Sequence, residues 1–472
     1  MARHVSAYKM KRTVSFLSTP LRSLAGVVVL ASTICLATSA SGAPASTWTV
    51  YHADPLGTGL TTAVRSVDTS HAKWTSRSLD GELYGEPLVF GNDVYVATEN
   101  DTVYALSARD GTVVWSRHVA TAVNASSLPC GNITPRVGIT GTPVIDTSRH
   151  ELFVVAEESL NTRPAHVVFG LDTTTGALLM KRRVDPSGSN PDALLQRTGL
   201  TLDQGHVVLA MGGLYGDCGT YRGTVVSLSE VGGVPSFFSV DQAPGESQGA
   251  IWMGGAAPVV DAHGDIWVSV GNGSSQSSTD PYDYSDSVLD LSSSLHLRQF
   301  FAPSSWPQDN ASDLDMSMAP ALLRDGQVVV AGKARIVYLL NTRHLGGIGH
   351  QRTSLANACN DDIDGASAVL GTTVFLPCLS GPVAVSVGRA PSTLRILWSA
   401  GSGGGPPIVA ANLVWSIGPD GELYGLNPKN GAVRQRAFIG RGANHFPTPS
   451  VGDGLLLATN ATHVIAFAGR SG

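Results

Sequence analysis

The chain has 472 residues, of which 43% are apolar and only 14% charged, a globular composition that excludes a disordered polymer. Its formal charge is −6, and beyond residue 43 no basic stretch offsets the acidic excess, so the surface repels nucleic acid and anionic membrane. Glycine (53 residues) and proline (26 residues), with almost no helical periodicity, point to many short strands and tight turns.

Taken in chain order, residues 1–43 read as a secretory signal peptide. Arg3, Lys9, Lys11, Arg12 and Arg22 form a basic start, Leu24 to Ala37 is apolar, and Ser41-Gly42-Ala43 offers a cleavage site. Ser32 and Thr33 interrupt the apolar stretch, which is short for a membrane span. The expectation is a secreted or cell-envelope protein with no membrane span after cleavage. Residues 44–472 would form a single domain, more acidic than the whole chain because the signal removes basic residues only.

From Gly85 onward one motif recurs: a small residue, often a proline, an apolar pair, a turn, then a β-rich run. It spans Gly85–Thr98, Gly141–Ala156, Thr198–Met211, Gly254–Val270, Met318–Gly332, Gly365–Cys378, Gly405–Gly418 and Pro447–Thr459. Each copy is a hairpin whose turn carries Gly, Asp or Asn. A second signature often follows, best seen in Val103–Val119, Val168–Val184 and Leu423–Ile439, and degraded in Val337–Gly347. The two together make about four strands, one propeller blade. The sequence therefore predicts an all-β, eight-bladed β-propeller, although the third and sixth units lack a good second signature and leave seven blades open. The last unit has only three strands. His71 to Leu79, around Trp74, is expected to supply the fourth and close the ring. A turn of helix is expected within Asp309 to Met318.

Four cysteines follow the signal, Cys130, Cys218, Cys359 and Cys378. An even number in an exported chain suggests two disulfides in one of three pairings. Blade order favours Cys130–Cys218 and Cys359–Cys378. No CxxC or CxxCH is present, so zinc ribbons and c-type haem lack support.

The strings Val94–Trp115 and Gly170–Leu179, with Trp74 as a further blade-closing residue, resemble the pyrroloquinoline quinone (PQQ) propeller superfamily of quinoprotein alcohol dehydrogenase-like proteins. Trp48 with Tyr51–Gly59 resembles the opening segment of that superfamily. Cys130–Asp146, Gly213–Val226 and Ile251–Gly273 look like an exported bacterial subgroup. The resemblance implies PQQ in the central funnel with Ca²⁺ or a lanthanide, and a carboxylate base beside them. Ca²⁺ needs hard oxygen ligands, 6–8 of them as a rule.

Carried over residue by residue, the resemblance implies Asp313 as catalytic base. Asn272 and Asp315 would be metal ligands, with one of Glu157 and Glu158. Lys333 would contact the quinone and Trp252 would floor its ring. Each has a plainer reading. Asn272 suits a Gly-Asn-Gly turn, Asp313 and Asp315 a solvated acidic loop, Lys333 an exposed strand position, and Trp252 core packing. The dehydrogenases' adjacent cysteine pair is missing, since Gly131 follows Cys130. The functional expectation is a PQQ- and Ca²⁺-dependent oxidoreductase acting on an alcohol-like substrate in the funnel. The alternative is a non-catalytic scaffold for a protein partner or cell-envelope glycan.

Overall fold

Eight sheets follow one another along the chain, antiparallel except where Gly347–Ile348 adds in parallel to the edge of the fourth, and each is opened by one of the recurring hairpins. The structure, a computed structural model, describes residues 47–240, 245–443 and 446–471. The signal segment expected over residues 1–43 lies outside the described residues. Inner strands Leu88–Phe90, Val144–Asp146, Thr201–Asp203, Val259–Val260, Ala321–Leu323, Ala368–Leu370, Ile408–Ala410 and Ser450–Gly452 begin blades 1 to 8. The protein is an eight-bladed propeller, so the seven-blade alternative falls. The third and sixth blades complete their sheets with Ser236–Ser239 and Ser392–Ser399, neither of which follows a Thr-Gly turn, although the second carries Trp398.

Burial follows position in the blade. In blade 1 the third strand, Thr102–Ser107, is buried along almost its whole length, whereas the outer strand, Val113–His118, is mostly exposed. Middle strands are sandwiched between neighbouring blades, so both faces must be apolar. This explains why they read as unbroken apolar runs rather than as alternating ones.

The Trp of the second signature locks one blade to the next. Trp74 Nε1 donates to Ala108 O at 2.9 Å, Trp115 to Thr173 O at 2.8 Å and Trp398 to Pro428 O at 2.9 Å. Each indole lies on a turn glycine of the following blade, Gly111, Gly176 and Gly431. Those glycines have φ of +73°, +68° and +68°, and any Cβ there would collide with the ring. The Ser/Asp/Asn-x-x-x-Gly turns of the signature are therefore docking sites as well as turns.

Ring closure is as expected. Trp74–Thr75 pairs antiparallel with the last strand, Val464–Ser471, and Val64–Asp68 pairs with it further along. The opening segment then crosses the ring. Thr49 O accepts from Ile145 N, Pro55 O from Val260 N, Thr58 O from Val369 N and Gly59 O from Val409 N. Those donors sit in or at the inner strands of blades 2, 4, 6 and 7, so one mouth of the channel is obstructed. Every blade starts with its inner strand. Hence the lead-ins to inner strands and the loops leaving second strands meet at the other mouth.

Both disulfides, Cys130–Cys218 and Cys359–Cys378, are formed as the blade order favoured, with Cα separations of 6.1 and 5.8 Å. The helix is displaced from its expected place. It spans Trp306–Ala311, with Pro307 early in its first turn, and Asp313 at φ 56° keeps it from running on to Met318.

Candidate functional site

Four of the residues singled out in the sequence meet at the open mouth, drawn from three stretches of the chain. Asn272 leaves the second strand of blade 4, and Lys333 follows the second strand of blade 5. Asp313 and Asp315 lie on the lead-in to blade 5. Asn272 Nδ2 donates to Asp313 Oδ1 at 2.8 Å, and the Asn272 backbone N–H donates to Asp315 Oδ1 at 2.7 Å. Lys333 Nζ stands 3.1 Å from Asp313 Oδ1 and 2.5 Å from Asp315 Oδ2.

The local sequence explains the closeness. A Cβ at Gly271 would strike Asp315 Oδ1, and one at Gly332 would strike the Asp315 backbone carbonyl. The Gly-Asn and Gly-Lys strings thus leave the space that Asp315 occupies. Asp315 is 1% exposed at its side chain, Lys333 23% and Asp313 70%. A buried carboxylate therefore anchors an ammonium, which in turn holds an accessible carboxylate. Burial works to depress the Lys333 pKa, but the charges and hydrogen bonds of Asp315 and Asp313 outweigh it and hold the pKa above its ordinary value.

The sequence reading missed two acids beside this group. Asp286 is buried with neither carboxyl oxygen partnered. Burial pushes its pKa well up, and the charges of Asp315 and Asp309 add to the rise. Asp364, on the lead-in to blade 6, is pushed to about 6 by burial, while Ser317 and Lys333 pull it back. Neither was singled out as a site residue, and only the fold brings them near.

Trp252 and the two glutamates lie elsewhere in the mouth. Trp252, on the lead-in to blade 4, donates from Nε1 to Gly213 O at 2.7 Å and is half-buried, with part of its indole surface open. Glu157 and Glu158 are on blade 2. Lys181 Nζ donates to Glu158 Oε2 at 2.8 Å. Glu157 is 2% exposed, and its Oε2 lies 3.4 Å from His166 Nε2 without hydrogen-bond alignment. His166 Nδ1 is 2.8 Å from Asp185 Oδ1. Burial opposes protonation of this imidazole, yet the hydrogen bonds and charges of Asp185 and Glu157 raise its pKa to about 10. Two more buried acids border the group. Glu99 rises to about 7 and Asp101 to about 9, both chiefly by desolvation.

A divalent cation needs several oxygens around one point. Asn272 Oδ1 and both Asp286 oxygens are buried and unpartnered, which is the right donor chemistry. They do not complete a cage. Among the described residues no three His, Cys, Asp or Glu side chains are placed to hold one ion. The positive charge between Asp313 and Asp315 is the Lys333 ammonium. The Trp252 indole is held at its edge by Gly213 O, and Lys333 carries the one cationic donor of the Asp313–Asp315 group.

Residues 41–224 match the family model described as outer membrane protein assembly factor BamB. In overall fold the chain is similar to a quinohemoprotein alcohol dehydrogenase of Pseudomonas putida HK5 (TM-score 0.67, 13% identity, 90% of this chain and 80% of that one). It is also similar to a europium-containing methanol dehydrogenase (TM-score 0.65, 13% identity, 90% and 98%). BamB of Moraxella catarrhalis matches at a TM-score of 0.53 with 14% identity, over 83% of this chain and 96% of that one. No curated protein matches in sequence. At these identities the likeness is one of fold. The PQQ-like propeller resemblance read from the repeats is upheld.

Proposed function

We propose that this PQQ-like propeller is an oxidoreductase working outside the cytoplasm, with a quinone cofactor in its open mouth and an alcohol-like substrate. One observation carries the reading. Asn272, Asp313, Asp315 and Lys333, chosen from separate sequence strings, form one hydrogen-bonded group around an accessible carboxylate.

When bound, PQQ supplies the hydride acceptor. Trp252 is the surface on which its ring would rest, and Lys333 the donor that would reach it. Asp313 is the general base. Its carboxylate is open to solvent, oriented by Asn272 Nδ2, and within reach of a hydroxyl proton. Asp315, buried and fixed by the Asn272 backbone N–H, positions Lys333. No step is assigned to a metal, because Lys333 supplies the charge between the two carboxylates. Ca²⁺ or a lanthanide on Asn272, Asp315 and Glu157 or Glu158 remains a separate proposal, tested in the same experiment. The two disulfides suit an oxidising compartment.

The test is titration of the full chain with PQQ, alone and with Ca²⁺ or La³⁺, followed by absorbance and fluorescence. Dye-linked oxidation of small alcohols comes next. Saturable PQQ binding and dye reduction are expected. Absence of PQQ binding under every metal condition would overturn the reading. The second reading is a non-catalytic scaffold for a protein partner or envelope glycan. It is favoured by Leu178, Leu179, Val231 and Val234, which are exposed on neighbouring blades 2 and 3.

A further inference from the structure

A second cation lies in the same mouth, and among the described residues it has no ion-pair partner. Arg197, on the lead-in to blade 3, is 8% exposed. Its guanidinium lies 5.7 Å from the Tyr84 ring centroid and 5.7 Å from that of Phe446. Gly255, at φ +92°, lies against it, and a Cβ there would overlap Nη1. Rings and bare backbone therefore build a socket for this one group. Nη2 is buried and has no hydrogen-bond partner, and Arg197 takes part in no ion pair among the described residues. Glu99, whose charge reaches it, has its Oε2 on the Gly138 N–H at 2.7 Å.

The chemistry of the group makes this informative. A buried carboxyl can take up a proton, but a guanidinium stays charged at any physiological pH. A desolvated cation without a partner is costly to keep, and it becomes favourable when an oxyanion pairs with it. The position also fits a shared site. Next to Gly255, Gly254 packs on Gly365 and Asp364, and Asp364 lies within reach of the Lys333 charge.

We infer that Arg197 is the anchor for a carboxylate, so the ligand taken up by this mouth is an organic acid held with its carboxylate on the guanidinium. The carboxylate can belong to a free small acid or to an acid group of a larger cofactor. The inference needs only the unpaired guanidinium and stands apart from the quinone reading.

Calorimetry on the full chain tests it. Benzoate is compared with benzyl alcohol, the same ring without the charge. PQQ, which bears three carboxylates, is compared with 1,10-phenanthroline-5,6-dione, a planar quinone that has none. Arg197→Gln and Arg197→Lys are measured beside the wild type, with near-ultraviolet circular dichroism to check that each is folded. The acid of at least one pair should bind the wild type more tightly than its neutral counterpart and lose ~10–100-fold in affinity in Arg197→Gln, with partial recovery in Arg197→Lys. Loss for benzoate assigns a free acid as the ligand. Loss for PQQ alone assigns the cofactor's carboxylates. If neither acid depends on Arg197, the inference is overturned. If PQQ fails to bind while benzoate depends on Arg197, the quinone reading falls and this one stands.

Discussion

Blades 4 and 5 and blades 1 and 2 each crowd carboxylates at the mouth of the ring, and they handle the charge in different ways. In blades 4 and 5, Asp313 and Asp315 share the Lys333 ammonium, and the group opens to solvent through Asp313. In blades 1 and 2, Glu99, Asp101 and Glu157 are 3%, 0% and 2% exposed, and the cation His166 lies between Glu157 and Asp185. There the remaining acids turn to protons: burial raises Glu99 to about 7 and Asp101 to about 9. A fixed cation leaves an accessible carboxylate in place to do chemistry. A shortage of cations makes neighbouring acids neutral and structural.

The sharpest way to break this contrast is to remove the cation. Lys333→Met should cost roughly 3 kcal/mol in denaturant unfolding, because Asp315 would be left buried and unpaired. It should also weaken PQQ binding at the mouth. An unchanged midpoint would mean that Lys333 does not hold the cluster together.

In the proton-bearing region the expected effect is smaller and has the opposite sign. The folded-state pKa of Asp101 lies far above its ordinary 3.8. The folded state therefore binds a proton that the unfolded state releases, and this contribution to stability is lost as pH rises from about 4 to about 9. Glu99 acts in the same sense up to about 7. His166 also rises above its ordinary 6.5, so its contribution is complete below about 6.5 and is lost as pH climbs through about 10. Asp101→Asn should therefore stabilise the protein by about 2 kcal/mol at pH 8, with a gain that shrinks toward pH 4. Melts of both proteins across that range check it, and a gain independent of pH would contradict a protonated Asp101.

The same contrast explains what the sequence could reveal. Asn272, Asp313, Asp315 and Lys333 could be singled out only through the resemblance to the propeller superfamily, which their Gly-Asn, Asp-x-Asp and Gly-Lys strings carry. Ring closure by Trp74 was legible because a three-stranded last unit leaves an edge to fill. Asp101 and Glu99 were not, since they occupy an ordinary turn after the second strand of blade 1 and only burial distinguishes them. Arg197 looks like any polar residue before an apolar run. Its two rings come from Tyr84 and Phe446, remote in the chain and adjacent only once the ring has closed. The expected grouping of Glu157 and Glu158 with Asn272 rested on family likeness, and here the glutamates are engaged by His166 and Lys181 on their own blade.

Asp313 should give the smallest change in stability and, on the proposed chemistry, the largest change in turnover. Its side chain is 70% exposed, so its ion pair with Lys333 is screened by water, and Lys333 keeps Asp315 as its buried partner. Asp313→Asn should therefore shift unfolding by less than about 0.5 kcal/mol. It should leave PQQ affinity near the wild-type value, because Trp252, Lys333 and Asp315 are untouched. Dye reduction should nevertheless fall by about 100-fold or more, since the amide cannot accept the hydroxyl proton. A variant with wild-type stability, binding and turnover would remove Asp313 from the chemistry. The accessible carboxylate of blades 4 and 5 would then be no more catalytic than the buried acids of blades 1 and 2.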